Sequence, residues 1–227
     1  MIAVTTFSKT GYEVYGKKFL ETFVKHWPCK IVVYYEEKPD FEHEKIEYRS
    51  FFEIPNVQTF YEYLKNVPMA HGIVNGKYDY NKDAWKFTRK VFAQLDAFNE
   101  GGKVFWLDAD IETQKDVPED FLMGLFDGKS LCYLGRPNFY TETGFIGFDT
   151  EHEDFPLFKS EYTRCLQKGI FLTLPRWHDC EIFDWARKET PGNDLSPFKG
   201  GINVFPKSVL GEYMIHNKGD RKFGAKK

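Results

Sequence analysis

The chain has 227 residues, 42% hydrophobic and 29% charged, with a formal net charge of −3. That is long enough for one large domain or two small ones with a buried core, in a composition ordinary for a globular protein. The small negative charge gives no electrostatic case for nucleic acid or an anionic membrane surface, and no apolar run approaches the roughly 18 residues of a membrane span.

The first residues, Met1-Ile2-Ala3-Val4-Thr5-Thr6-Phe7, are too short a run, and too polar afterwards, for a signal peptide. Ile2–Phe7 reads as a first strand and residues 8–11 as a turn. From Tyr12 the positions Tyr15, Phe19, Phe23 and Trp27 recur every four residues, an amphipathic helix that Pro28 stops. Lys30–Tyr35 is a second strand, ended by Glu36, Glu37 and Pro39, and 46–52 a weaker third. Between 53 and 82, Tyr61, Leu64 and Val67 hint at a helix. Pro55, Pro68, Gly72 and Gly76 interrupt it, so a long irregular excursion is expected. A helix over 83–99 carries Phe87, Val91, Leu95 and Phe98 on one face, and Gly101-Gly102 ends it.

A buried strand follows, Val104-Phe105-Trp106-Leu107, and then Pro118-Glu119-Asp120 opens a helix to about Phe126. Strands over 131–134 and 144–148, helices over 155–168 and 178–188, and a last strand over 209–215 complete the pattern. Strands alternating with helices over the first 110 residues predict a mostly parallel α/β sheet flanked by helices. No repeat or linker divides the chain, so one domain over 1–227 is expected. The four cysteines (Cys29, Cys132, Cys165, Cys180) have no close C-x-x-C pairing. Free thiols in a reducing, cytoplasmic setting are expected. The 23 Phe, 13 Tyr and 5 Trp are mostly core, with a few available as a stacking platform for a sugar or base.

The most informative residues are Asp108 and Asp110, at the end of the buried strand. In extended backbone, side chains two apart point the same way, so the two carboxylates converge. Like charges that close repel unless a cation lies between them or one takes a proton. Oxygen ligands suit a hard divalent ion, Mg²⁺ or Mn²⁺. His216 offers a neutral imidazole as third ligand, and the basic stretch after it, with Lys218 and Arg221, would suit an anionic group. On the helix leading into the strand, Lys86 pairs by spacing with Lys90 and with Arg89. Either pair would hold phosphate or a sugar, or else form a solvated basic face.

In these segments and their order the chain resembles the GT-A class of nucleotide-sugar glycosyltransferases. The resemblance rests on Trp106-Leu107-Asp108-Ala109-Asp110-Ile111 and the preceding Lys86-Phe87-Thr88-Arg89-Lys90. It extends to Glu142-Thr143-Gly144-Phe145-Ile146-Gly147-Phe148, Trp177-His178-Asp179 and His216-Asn217-Lys218-Gly219, and covers most of the chain. It implies a single Rossmann-like domain, with a nucleotide-sugar-binding half over 1–112 and an acceptor-side half over 113–227. The implied activity moves a sugar from a UDP- or GDP-sugar to a hydroxyl of a glycan, lipid or protein, with Mn²⁺ or Mg²⁺. Asp110 is then the main metal ligand and Asp108 is shared between metal and ribose. Thr5, Thr6 and Phe7 would line the nucleoside pocket, with Glu36 or Glu37 on the base or ribose. Glu142 and Asp179 are the candidate acceptor bases. The acceptor is expected over 135–190 and the 53–82 excursion, one of them acting as a lid. The alternatives are a haloacid-dehalogenase-type phosphohydrolase with Asp108 as nucleophile, and a non-catalytic sugar- or nucleotide-binding domain.

Overall fold

In the computed structural model, which describes residues 1–197 and 201–219, the apolar runs become the strands of one seven-stranded sheet. The N-terminal half supplies β1 (Ile2–Phe7), α1 (Lys9–Gly11), α2 (Lys17–His26), β2 (Lys30–Tyr35), β3 (Ile46–Ser50) and α3 (Val57–Leu64). The short hairpin β4 (Ile73–Val74) and β5 (Lys77–Tyr78), then α4 (Ala84–Ala97) and β6 (Lys103–Leu107), complete it. The remainder adds β7 (Ile111–Thr113), α5 (Glu119–Gly124), β8 (Leu131–Arg136), β9 (Phe139–Asp149), α6 (Phe155–Gln167), α7 (Asp179–Ala186), β10 (Gly192–Asp194) and β11 (Met214–His216).

The sheet order is β10-β8-β9-β6-β1-β2-β3. β6, β1, β2 and β3 run parallel, β10 runs parallel to β8, and β9 is antiparallel to both its neighbours. Central strands are apolar on both faces because both faces are covered. Val4, Val32, Trp106 and Ile146 pack with α3, α4, α6 and α7. Ala3, Ile31, Val33 and Phe105 pack on the other side with α2, α5 and the residues around Leu210 and Met214. The expected α/β architecture with a mainly parallel sheet is the one found. All four cysteines are free and buried, and among the described residues no helix is long and apolar enough to cross a membrane.

The structure departs from the sequence reading at local points. Residues 8–11 are not a plain turn, because Ser8 Oγ accepts from Gly11 N (3.1 Å) and starts helical winding ahead of α2. The 53–82 excursion contains a true helix, α3. Its Val57, Tyr61 and Leu64 are buried at i, i+4 and i+7, and Pro55 and Pro68 lie outside its ends, bounding the helix without breaking it. β9 starts five residues earlier than its apolar run. Its polar Thr141, Glu142 and Thr143 are buried, and each has a partner described below. In the tail Ser208 Oγ accepts from Leu210 N (3.3 Å). That closes a helical turn over 209–212 and leaves only Met214–His216 as strand. β10, hidden among glycine and polar residues, was not anticipated.

Candidate metal site and catalytic cleft

β6 runs out at Leu107 and the chain turns, with Ile111 N donating to Asp108 O (3.0 Å). Asp108 and Asp110 therefore converge through a tight turn, and not by the strand alternation their spacing suggested. Asp108 N donates to Gly144 O (2.8 Å), adding a rung beyond the β6–β9 ladder and pinning the turn against β9. β7 then pairs antiparallel with β11, placing Ile111 opposite His216, and Asn217 N donates to Asp110 O (2.9 Å). Strand pairing thus brings the imidazole from the far end of the chain to the two aspartates.

One ligand atom from each of Asp108, Asp110 and His216 lies within 4.8 Å of the others. His216 Nε2 is 3.0 Å from Asp110 Oδ1 and 3.7 Å from Asp108 Oδ2. Two ligands bound at about 2.1 Å and at right angles stand about 3.0 Å apart. The Asp110–His216 contact is a direct hydrogen-bonding distance that two ligands of one divalent ion would also span, and the oxygen and imidazole donors are ones such an ion accepts. On the other side of the ring, Glu142 Oε1 is 3.5 Å from His216 Nδ1. That is too long for a hydrogen bond, and the carboxylate stands beside the ring as a charge.

The charges are packed closely. Lys90 is buried, with Nζ 2.9 Å from Asp108 Oδ1 and 2.8 Å from Asp179 Oδ2. Nζ also donates to Thr143 O (2.5 Å). Burial lowers the pKa of this ammonium, but the charges of Asp108 and Asp179 outweigh burial and raise it overall. Burial likewise opposes the charge on Asp179. Lys90, helped by a hydrogen bond from Thr143 Oγ1 (2.6 Å), still lowers its pKa. Glu142 is buried against Lys218, Arg136 and His216. Burial pushes its pKa up, yet His216 and Lys218 hold it well below the ordinary carboxylate range. His216 is pushed down by burial and raised overall by Asp110 and Glu142. His178 occupies the N-cap position of α7 without a side-chain capping bond, and Asp179 lies in the first turn.

Asp108, Asp110, Glu142, Asp179, His216 and Lys218 all line one cleft of about 270 Å³, with Tyr80, Arg136 and Tyr140 among its other walls. A larger apolar hollow of about 910 Å³ among α3, α4 and α6 holds none of these carboxylates. The other sequence candidates do not reach the cleft. Thr5 Oγ1 donates to Leu107 O (2.7 Å) and Thr6 Oγ1 to Tyr34 O (2.7 Å), so both hydroxyls tie strands together. Phe7 is buried and stacks on Tyr12. Arg89 pairs with Glu36 and Glu37 with Lys9. Lys86 is exposed, its Nζ over the Tyr80 ring. Arg221 lies outside the described residues. The lysine that enters the site is Lys90. In the sequence it stands out only as the i, i+4 partner of Lys86 at the head of the apolar run Val91-Phe92-Ala93. Arg136 and Tyr140 gave no signal.

Gly144 has a role that composition does not announce. A Cβ built there would overlap the His216 ring, 2.5 Å from Nδ1, and the surrounding backbone is strand that cannot yield cheaply. Gly144→Ala is expected to displace the imidazole and weaken Mn²⁺ binding at least tenfold, measured by isothermal titration calorimetry. Affinity equal to that of the parent would show that His216 is not a ligand.

No protein-family model matches the sequence, and no curated protein matches it. Among solved structures the fold is similar to that of glycosyltransferases at low identity. Mouse xyloside xylosyltransferase 1 aligns with a TM-score of 0.53 at 10% identity, over 83% of this chain and 82% of that one. A glycosyltransferase involved in the glycosylation of the major capsid of PBCV-1 aligns with a TM-score of 0.51 at 13% identity, over 99% of both chains. The bifunctional glycosyltransferase WbbM aligns at 0.50 and 13% identity, over 96% of this chain but 46% of its own. The chain thus spans about half the length of that protein.

Proposed function

We propose that this chain, which has the GT-A fold, is a metal-dependent glycosyltransferase that moves a sugar from a nucleoside-diphosphate donor to a hydroxyl acceptor. The observation that carries this reading is the Asp108–Asp110–His216 cluster at the carboxyl edge of the sheet, where α/β sheets bind ligands. The similarity in fold to glycosyltransferases supports it. Bound Mn²⁺ or Mg²⁺ would supply Lewis-acid stabilisation of the charge that develops on the leaving diphosphate. Asp108, Asp110 and His216 would hold the ion.

Asp108 Oδ1 is held by Trp106 Nε1 (2.7 Å) and Lys90, so one oxygen anchors while the other faces His216. Lys218, at the mouth of the cleft, would meet the diphosphate. Glu142 is held by three basic groups, which disfavours acceptor deprotonation. Asp179 lines the same cleft but is tied to Lys90 and Thr143, so the geometry singles out neither carboxylate as the acceptor base. The half over 1–112 would bind the nucleotide of a UDP- or GDP-sugar, and the half over 113–227 the acceptor.

The test is a thermal-shift panel of UDP- and GDP-sugars with and without Mn²⁺. A donor at about 100 times its Kd adds roughly 2.7 kcal/mol, and so several degrees at about 2–4 °C per kcal/mol for a chain of this size. If no nucleotide sugar stabilises the chain in a Mn²⁺-dependent way, the reading fails.

A pH series adds a second check. The raised pKa of His216 means that its protonation stabilises the metal-free fold below the ordinary histidine value. That contribution is lost as pH rises through the raised value. A metal must displace the same proton, so Mn²⁺ affinity should climb with pH through the raised His216 pKa and then level off. Calorimetry in buffers of different ionisation enthalpy reads the released proton directly. A flat profile would remove His216 from the ligand set.

A further inference from the structure

Transfer to a hydroxyl releases one proton, and few groups in the cleft can take it. Asp108, Asp110 and His216 are the proposed metal ligands. Glu142 is buried against Arg136 and Lys218, and Asp179 is tied to Lys90 and Thr143. Tyr80, Tyr140 and Cys180 also line the cleft. Burial raises the pKa of each, so all three keep their protons at neutral pH. Among the described walls of the cleft, that leaves His178.

His178 stands at the head of α7 with its side chain unused for capping. Trp177 N donates to Asn81 O (2.8 Å), which holds the segment before α7 against the turn over 80–82. The imidazole is packed between Phe87, Tyr80 and Tyr140, with ring centroids 4.4, 5.0 and 6.1 Å away. Its Nε2 lies 3.3 Å from Tyr80 O. A carbonyl only accepts, so Nε2 carries the proton and Nδ1 keeps the lone pair. Nδ1 makes no hydrogen bond among the described residues, and the ring lines the cleft, so that lone pair is open to a ligand.

The surroundings suit a group that gains and loses a proton. Burial lowers the pKa of His178 and outweighs the neighbouring Asp179 carboxylate, so the ring is neutral, and therefore basic, at neutral pH. Arg176 adds to the lowering and Glu181 opposes it, and these two are paired with each other at 2.6 Å. From α4, Lys86 Nζ stands over the Phe87 and Tyr80 rings, 5.7 and 5.1 Å from their centroids. A proton arriving at Nδ1 meets Asp179 in the next residue and three aromatic rings around the new charge.

We propose that His178 is the catalytic base of this chain, accepting the proton of the acceptor hydroxyl at Nδ1. The assignment rests on the glycosyltransferase reading above and adds to it the group that activates the acceptor. The acceptor O–H bond breaks as its oxygen bonds the anomeric carbon of the sugar. The bond from that carbon to the diphosphate breaks, and its electron pair leaves with the nucleoside diphosphate. The imidazolium then returns its proton to solvent.

The test compares water with azide as the acceptor, using the full chain, saturating Mn²⁺ and the nucleotide sugar that stabilises it. Water must lose a proton to react, whereas azide attacks as an anion and needs no base. His178→Gln can still donate to Tyr80 O but has no basic lone pair. It is expected to slow donor hydrolysis about 10²–10⁴-fold, while glycosyl azide formation and the donor KM stay within about twofold. In the parent, hydrolysis should fall relative to azide transfer as pH drops through the lowered pKa of His178, and the variant should lack that fall. Protonation of His216 opposes metal binding in both reactions and cancels in the ratio. The parent ratio is readable even where the variant does not fold. Unchanged hydrolysis in the variant, an equal loss with water and azide, or a parent ratio that ignores pH would each overturn the proposal. So would a donor that binds yet reacts with neither. Absence of any Mn²⁺-dependent donor stabilisation sinks the glycosyltransferase reading instead.

Discussion

Asp110→Asn is expected to cut Mn²⁺-dependent sugar transfer, or donor hydrolysis where no acceptor is supplied, by roughly a thousandfold. Asn keeps the volume and one acceptor oxygen, so the turn over 108–111 and the backbone bond from Asn217 N to Asp110 O should persist. What disappears is the buried negative charge that faces His216 at 3.0 Å. A metal acting on a leaving group supplies several kcal/mol of charge stabilisation, and about 1.4 kcal/mol is a factor of ten in rate. Calorimetry should show Mn²⁺ affinity lost in parallel, with an unchanged far-ultraviolet circular dichroism spectrum. Activity within tenfold of the parent would place the metal elsewhere. Glu142→Gln, which removes the charge facing His216, Arg136 and Lys218 but none of the three proposed ligands, should have a milder effect, about 10–100-fold in metal affinity.

The largest effect on stability is expected at Lys90. Lys90→Met preserves the length and apolar stem but leaves Asp179, buried beneath the cleft, without its counter-charge. Removing one partner of a buried pair costs about 3–5 kcal/mol. Asp108 is one-third exposed and solvent takes up part of its charge, which points to the lower end of that range. At about 2–4 °C per kcal/mol, melting should fall by roughly 6–12 °C.

Two controls isolate charge from packing. The double variant Lys90→Met/Asp179→Asn should recover part of the loss, because the orphaned charge is gone while Asn still accepts from Thr143. The pH dependence should also invert. In the parent, the lowered pKa of Asp179 contributes stability above the unfolded carboxylate value, lost as pH falls through the lowered folded value. In the single variant burial raises that pKa, so the deficit should shrink as pH drops and Asp179 takes a proton. A double variant no more stable than the single would rule out the electrostatic account.

The readable part of this architecture was the part carried by local apolar pattern. β1, β2 and β6 are runs with both faces covered, and the helices α2, α4 and α6 announce themselves by period and by their stops. α3 was obscured because Pro55 and Pro68 look like breakers until they are seen to flank the helix. The early part of β9 was obscured for the opposite reason. Thr141, Glu142 and Thr143 break the apolar run, yet Asp184, Lys218 and Asp179 satisfy them in the interior. At the site, Lys86 and Arg89 looked equivalent to Lys90, since spacing on a helix says which residues share a face but not which face the sheet covers. The nucleoside-pocket assignment to Thr5 and Thr6 meets a similar limit, because both hydroxyls are used between strands.

By itself the sequence determined the alternating α/β order, the buried strand that ends in Asp108 and Asp110, and the types of residue a divalent ion would require. These follow from interactions between neighbours in the chain: apolar period, proline and glycine punctuation, and like charges too close to remain uncompensated. Only the tertiary structure decided that His216 completes the cluster through the β7–β11 pairing, that Gly144 leaves room for its ring, and that Lys90 bridges Asp108 and Asp179. Each depends on elements distant in sequence meeting in space. Register and burial there are set by the whole core at once, and no local pattern encodes them.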